Sequence, residues 1–124
     1  MYRVLIIEDT PIIREPMVRL LRSEGFAVTG AANGVEAIAW LNTNTVDIVL
    51  LDVLMPKMNG VAFLENFRAD ARWAHVPVIA ITGVLDSTWL LRLRELHVRT
   101  VIQKSRFDLD ALLIEIHRQL PQAA

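Results

Sequence analysis

Five polar residues of this 124-residue chain stand at or just beyond the ends of short apolar runs, and together they suit one kind of chemistry. Glu8 and Asp9 follow Val4-Leu5-Ile6-Ile7. Asp52 follows Ile48-Val49-Leu50-Leu51, Thr82 follows Val78-Ile79-Ala80-Ile81, and Lys104 comes soon after the weaker run Val98–Ile102. Three neighbouring carboxylates repel one another, so the fully ionised state is costly without a cation. Mg²⁺ relieves that cost, because it takes one or two carboxylates, keeps several waters and accepts phosphate oxygens. Lys104 offers a mobile point charge suited to phosphate, and Thr82 adds a hydroxyl. Phosphoryl transfer needs little beyond positioning, a metal and positive groups around the equatorial oxygens. An aspartate can itself be the nucleophile and form an aspartyl-phosphate. Asp52 is therefore the expected acceptor.

Taken singly, each residue has a plainer reading. Asp52 reads as a turn residue, Thr82 as a strand end and Lys104 as a solvated charge. The chemistry requires that they converge, and the order of elements says how. Pro11 suits the first turn of a helix, and Ile12, Ile13, Met17, Leu20 and Leu21 recur at helical spacing up to Glu24, with Gly25 as the stop. Phe26–Ala31 reads as a second strand. Asn33 caps a helix carrying Val35, Ala37, Ile38 and Leu41. The third strand, Ile48–Leu51, precedes a helix over Gly60–Asp70, and the fourth precedes a leucine-rich helix over Ser87–Leu96. The last helix, Leu109–Leu120, follows Asp108 and stops before Pro121. Short apolar strands alternating with amphipathic helices argue for an α/β parallel sheet covered on both faces. Such a sheet gathers its strand ends along one edge, where ligands bind at the point of topological reversal.

The gross numbers exclude other classes. A 53% hydrophobic chain of this length buries a core of its own. A net charge of −1 gives no support for broad binding to nucleic acid or to an anionic membrane. No apolar run approaches a membrane span. The absence of cysteine removes disulfides and thiolate chemistry and fits a cytoplasmic protein. His75, His97 and His117 lack metal-ligand spacing and read as surface or satisfied residues.

The motifs VLIIEDT, AANGVEAI, DIVLLDVLMPKMNG, VIAITG and VIQK occur in order, with 30 positions from Asp52 to Thr82 and 22 from Thr82 to Lys104. In this the chain resembles the receiver domain of two-component response regulators, of the chemotaxis-regulator type, over essentially its whole length. The resemblance implies a flavodoxin-like, doubly wound sheet of five parallel strands with five helices, (βα)5. It implies one receiver domain over residues 1–124 with no output domain in this chain. Asp52 would accept a phosphoryl from a phosphohistidine on a histidine kinase or phosphotransfer protein. Asp9 would ligate Mg²⁺ directly and Glu8 through water, with Asp52 and the backbone carbonyl of Leu54 completing the protein ligands. Thr82 and Lys104 would grip the phosphate. Signalling to a downstream effector protein would pass through the face formed by the fourth helix, fifth strand and fifth helix. By the same resemblance the module would assist its own phosphotransfer and dephosphorylation without being a classical enzyme.

The chain departs from the family pattern at four places, one of them a residue pair. Val101 stands where an aromatic switch residue is usual, so a ring cannot turn inward there. Ser105 replaces the proline after the lysine, and a cis bond would then cost about 3–4 kcal/mol, so a trans Lys104–Ser105 bond is expected. Leu96-His97 replaces the usual Gly-Ala and predicts an altered turn. Leu54 is apolar and would shield the phosphate from water, predicting slow phosphate loss. The fourth and fifth helices carry more apolar residues than one buried face needs, which predicts an exposed patch for a partner or a homodimer. The alternatives are an atypical receiver working by interaction or dimerisation alone and, lower, an aspartyl-nucleophile phosphatase. The phosphatase wants a second carboxylate where Leu54 stands. A flavin or nucleotide carrier ranks lower still, because EDTPIIRE is acidic where a phosphate loop belongs.

Overall fold

The structure, a computed structural model, describes residues 1–53, 59–83 and 87–120. Five strands, β1 (Arg3–Ile7), β2 (Ala27–Ala31), β3 (Ile48–Asp52), β4 (Val78–Thr82) and β5 (Thr100–Gln103), form one sheet in the order β2-β1-β3-β4-β5. All four pairings are parallel. The helices α1 (Pro11–Ser23), α2 (Gly34–Leu41), α3 (Gly60–Ala69), α4 (Ser87–Glu95) and α5 (Leu109–Gln119) alternate with them, as the sequence pattern predicts. Short 3-10 turns at Ala71–Trp73 and Lys104–Arg106 carry no signal in the hydrophobic periodicity.

β3 and β4 are buried at every position. That is why their sequences are unbroken apolar runs and do not alternate. Successive side chains still go to opposite faces. Leu5, Ile7, Val49, Leu51, Val78 and Ala80 join the layer holding Ala37 and Leu41 of α2, Phe63, Leu64 and Phe67 of α3, and Leu93 of α4. Val4, Ile6, Ile48, Leu50, Ile79 and Ile81 join Met17, Val18 and Leu21 of α1 and Leu112 and Ile116 of α5. The chain winds from β1 one way to β2 and the other way to β3, β4 and β5. The reversal lies between β1, which leads into Glu8, and β3, which ends at Asp52.

Two helix stops have the same geometry and different residues. At the end of α1, Gly25 N–H donates to the Arg22 carbonyl (3.1 Å) and Phe26 N–H to the Leu21 carbonyl (3.1 Å). Gly25 adopts φ 95°. At the end of α4, His97 N–H donates to Arg94 (3.0 Å) and Val98 N–H to Leu93 (3.0 Å), with His97 at φ 62°. This is the left-handed stop that glycine fills without strain. Phe26 and Val98 therefore belong to the helix stops, and β2 and β5 begin later than the apolar pattern predicts, at Ala27 and Thr100. His97→Gly is expected to stabilise the fold by roughly 1 kcal/mol by removing a side chain from the left-handed region. Thermal unfolding would show a midpoint raised by about 3–5 °C; an unchanged or lower midpoint would mean that the histidine carries no strain.

Candidate functional site

The strand ends bring the acids together. Glu8 follows the last residue of β1, and its N–H continues the sheet by donating to the Ala31 carbonyl (3.0 Å). Asp52 closes β3, one register step from the pairing of Ile7 with Leu51. Carboxylate oxygens of Glu8, Asp9 and Asp52 lie within 4.8 Å of one another. Glu8 and Asp52 are buried and Asp9 is half-buried. Lys104, directly after β5, places Nζ 3.2 Å from Asp52 Oδ2 and 3.4 Å from Glu8 Oε2. Thr82 is buried at the end of β4, one position beyond Ile81, the cross-strand partner of Asp52. Five sites scattered from residue 8 to residue 104 thus stand along one sheet edge. Leu54, expected to lend a backbone carbonyl and to shield the phosphate, lies outside the described residues.

The charges are unbalanced. Burial and, next, the Asp52 carboxylate push the Glu8 carboxyl up to about 7 from an ordinary 4.5, although Lys104 and the Thr10 N–H pull against them. Burial also opposes the Lys104 ammonium, but Asp52 and Glu8 outweigh it and hold the amine above its ordinary range. One ammonium among three acids leaves room for a second cation. The donors are all oxygens, the set that a hard divalent ion such as Mg²⁺ takes. The residues present fit that ion.

Ser105 in place of proline does not displace the lysine. The Lys104–Ser105 bond is trans, as the cost of a cis bond there predicts, and the ammonium still reaches both acids. The short 3-10 turn over Lys104–Arg106 makes that approach.

Gly60 supports the site in a way its sequence context only hints at. Its N–H donates to the Val53 carbonyl (2.7 Å), and a Cβ there would stand 2.7 Å from Val53 Cα and 3.1 Å from the Asp52 carbonyl oxygen. The first turn of α3, capped by the Asn59 side chain accepting from Ala62 N–H (2.9 Å), thus lies against the backbone carrying Asp52. Gly60→Ala is expected to force that backbone apart and cost about 1–3 kcal/mol. A urea titration would show this as a lower midpoint with an unchanged slope; a wild-type midpoint would mean the contact is slack.

His75, His97 and His117 are all exposed. Leu91 on α4 and Ile114 on α5 are about 60% exposed, so the surplus apolar residues of those helices do reach the surface. Ile12 on α1 is more exposed still, at 81%.

A doubly wound five-stranded sheet with an acid cluster and a lysine at its carboxyl edge is an arrangement able to hold a divalent ion beside a phosphate. The family model of the response regulator receiver domain matches residues 4–117, and the chain belongs to that family. The sensory transduction protein RegX3 of Mycolicibacterium smegmatis is 40% identical over 83 residues, covering 67% of this chain and 35% of that protein. The chain thus spans about a third of the length of such curated relatives. The chemotaxis protein CheY4 of Vibrio cholerae superposes with a TM-score of 0.90 at 27% identity, covering 97% of this chain and 99% of the other. The response regulator TrrA of Thermotoga maritima, solved in complex with Mg²⁺ and BeF, superposes at 0.82 with 28% identity, covering 97% of this chain and 100% of the other. The protein is a receiver domain of two-component signalling, and among the described residues no helix is long and apolar enough to cross a membrane.

Proposed function

We propose that Asp52 accepts a phosphoryl group from a phosphohistidine on a histidine kinase or phosphotransfer protein. The observation that carries this is the Lys104 ammonium bridging Asp52 and Glu8 beside Asp9, at the end of an otherwise apolar strand. A carboxylate oxygen of Asp52 forms the new P–O bond as the N–P bond breaks, and the electron pair returns to the donor imidazole. Asp9 and Asp52 would hold Mg²⁺ directly, Glu8 through water and Leu54 by its carbonyl, supplying charge neutralisation for the phosphoryl oxygens. Lys104 then exchanges its carboxylate partners for the phosphoryl oxygens, and Thr82 turns its hydroxyl toward them.

The new dianion draws Lys104 and Thr82 inward and biases the face of α4, β5 and α5. Leu91 and Ile114 on that face suit a downstream effector protein or a second copy. Between α1 and the start of α5 a cavity of about 290 Å³, lined by Ile12, Ile13, Phe107 and Leu109 and reaching Glu8, Asp52 and Lys104, gives the donor protein an apolar foothold. The module promotes its own phosphotransfer and dephosphorylation and acts in the cytoplasm.

The test is intact mass after a small phosphodonor with Mg²⁺. Wild type should gain one phosphoryl group and Asp52→Asn none; an unchanged wild type would overturn the reading. Val101 favours a second reading, in which the module works by association alone, because β5 offers no ring to turn inward. Beryllofluoride with Mg²⁺ should alter the α4–β5–α5 face of a phosphorylatable receiver and leave the alternative unchanged.

A further inference from the structure

We propose that Arg14 is a positioning residue for the metal-binding carboxylates, clamping the peptide group between Glu8 and Asp9, and that position 30 is glycine to let it pass. This rests on the metal-binding reading above. Arg14 Nη1 donates to the Glu8 carbonyl oxygen at 2.6 Å. Its side chain is only 15% exposed, and its Nε lies 3.5 Å from Glu15 Oε1, at the edge of an ion pair. To get there from α1 the side chain runs over β2. A Cβ at Gly30 would stand 3.1 Å from Arg14 Cδ, 3.4 Å from Arg14 Cγ and 3.4 Å from Val18 Cγ2.

Besides its ion pair with Lys104, Glu8 makes three hydrogen bonds. Its N–H is tied to Ala31, its Oε1 accepts from the Thr10 N–H at 3.3 Å, and its carbonyl accepts from Arg14. The third bond matters most for the metal, because that carbonyl belongs to the peptide plane that leads into Asp9. Among the described residues no strand partner beyond β1 accepts or donates to fix that plane. With Arg14 in place the plane is fixed, and the Asp9 carboxylate is aimed at Glu8 and Asp52. Without it the plane is free to turn and Asp9 swings away, so binding an ion requires re-ordering it first.

Charge alone predicts the opposite sign. A guanidinium close to the acid cluster repels a divalent cation, so removing it should tighten Mg²⁺ binding. The clamp predicts weaker binding.

Calorimetric titration with Mg²⁺ separates these on wild type, Arg14→Leu, Arg14→Lys and Gly30→Val. Arg14→Leu should bind Mg²⁺ about ten- to a hundredfold more weakly. Gly30→Val should move in the same direction while Arg14 is intact, and the two together should lose little more than either alone. Arg14→Lys, which keeps one donor, should recover part of the loss. Circular dichroism identifies a variant that does not fold, in which case Gly30→Val and Arg14→Lys carry the test. Wild-type or tighter affinity in Arg14→Leu, with wild type binding normally, overturns the clamp alone. Absence of Mg²⁺ binding by wild type overturns the metal reading and the clamp with it.

Discussion

Asp52→Asn is expected to abolish phosphoryl uptake while leaving the fold intact. Asparagine matches aspartate in shape, still offers Lys104 an acceptor oxygen, and closes the same buried strand end. What it lacks is the anionic nucleophile. Neither neighbouring acid substitutes easily. Glu8 is buried and favours its protonated form up to about pH 7, and Asp9 lies on the turn leading into α1 rather than at the end of the central strand. Intact mass should therefore show a phosphoryl adduct on wild type and unmodified protein for the variant, at equal Mg²⁺ and donor. Uptake by the variant at a rate comparable to wild type would place the acceptor elsewhere. The substitution also removes the Asp52 charge, the second of the causes that raise the Glu8 carboxyl. Burial, the first cause, remains, so Glu8 in the variant should titrate lower than in wild type but still above an ordinary glutamate.

The second large effect is a dependence of stability on pH that Mg²⁺ removes. Glu8 titrates at about 7 in the folded protein against 4.5 for an ordinary side chain. The folded state thus holds the proton more tightly than the unfolded chain, and stability falls wherever the native state binds more protons. The contribution is fully present below about pH 4.5 and is lost as pH rises through about 7, amounting to roughly 3 kcal/mol across that window. In the metal-free protein the thermal midpoint should therefore drop between pH 5 and pH 8. Mg²⁺, reached by Glu8 through water, favours the ionised carboxylate and so works against its proton. It should raise the midpoint strongly at pH 8 and little at pH 5. Glu8→Gln, which cannot ionise, should flatten the metal-free profile. A profile equally steep in that variant would assign the dependence to other groups.

The outline of the fold was legible because the strands are buried on both faces. Ile48–Leu51 and Val78–Ile81 show as unbroken apolar runs, and each ends in the polar residue that the sheet edge then exposes to its neighbours. The site acids were legible for the same reason, since a charge that ends such a run stands out. Where reading failed, contacts distant in sequence decided. Val98 looks like strand but its N–H belongs to the stop of α4, with His97 doing what glycine does after α1. Leu96-His97 announced a changed turn without saying that a histidine would enter the left-handed region.

Glycines 30 and 60 and Arg14 were the least readable. Gly60 appears in the sequence only as a helix start, and nothing local says that a Cβ there would stand 2.7 Å from Val53 Cα, so that its absence lets α3 lie against that backbone. Arg14 lies within the first helix, and the hydrophobic pattern there does not single it out. Its partner is a main-chain carbonyl six residues earlier, and its path depends on a glycine sixteen residues later. The sequence by itself determined the order of strands and helices, the residues that end each strand and the chemistry those residues can do, because burial leaves a periodic trace along the chain. Only the tertiary structure decided how close the acids stand, that Lys104 still reaches them without a proline after it, and which bystanders hold them there. Those depend on distances between segments tens of residues apart, and such distances leave no local pattern.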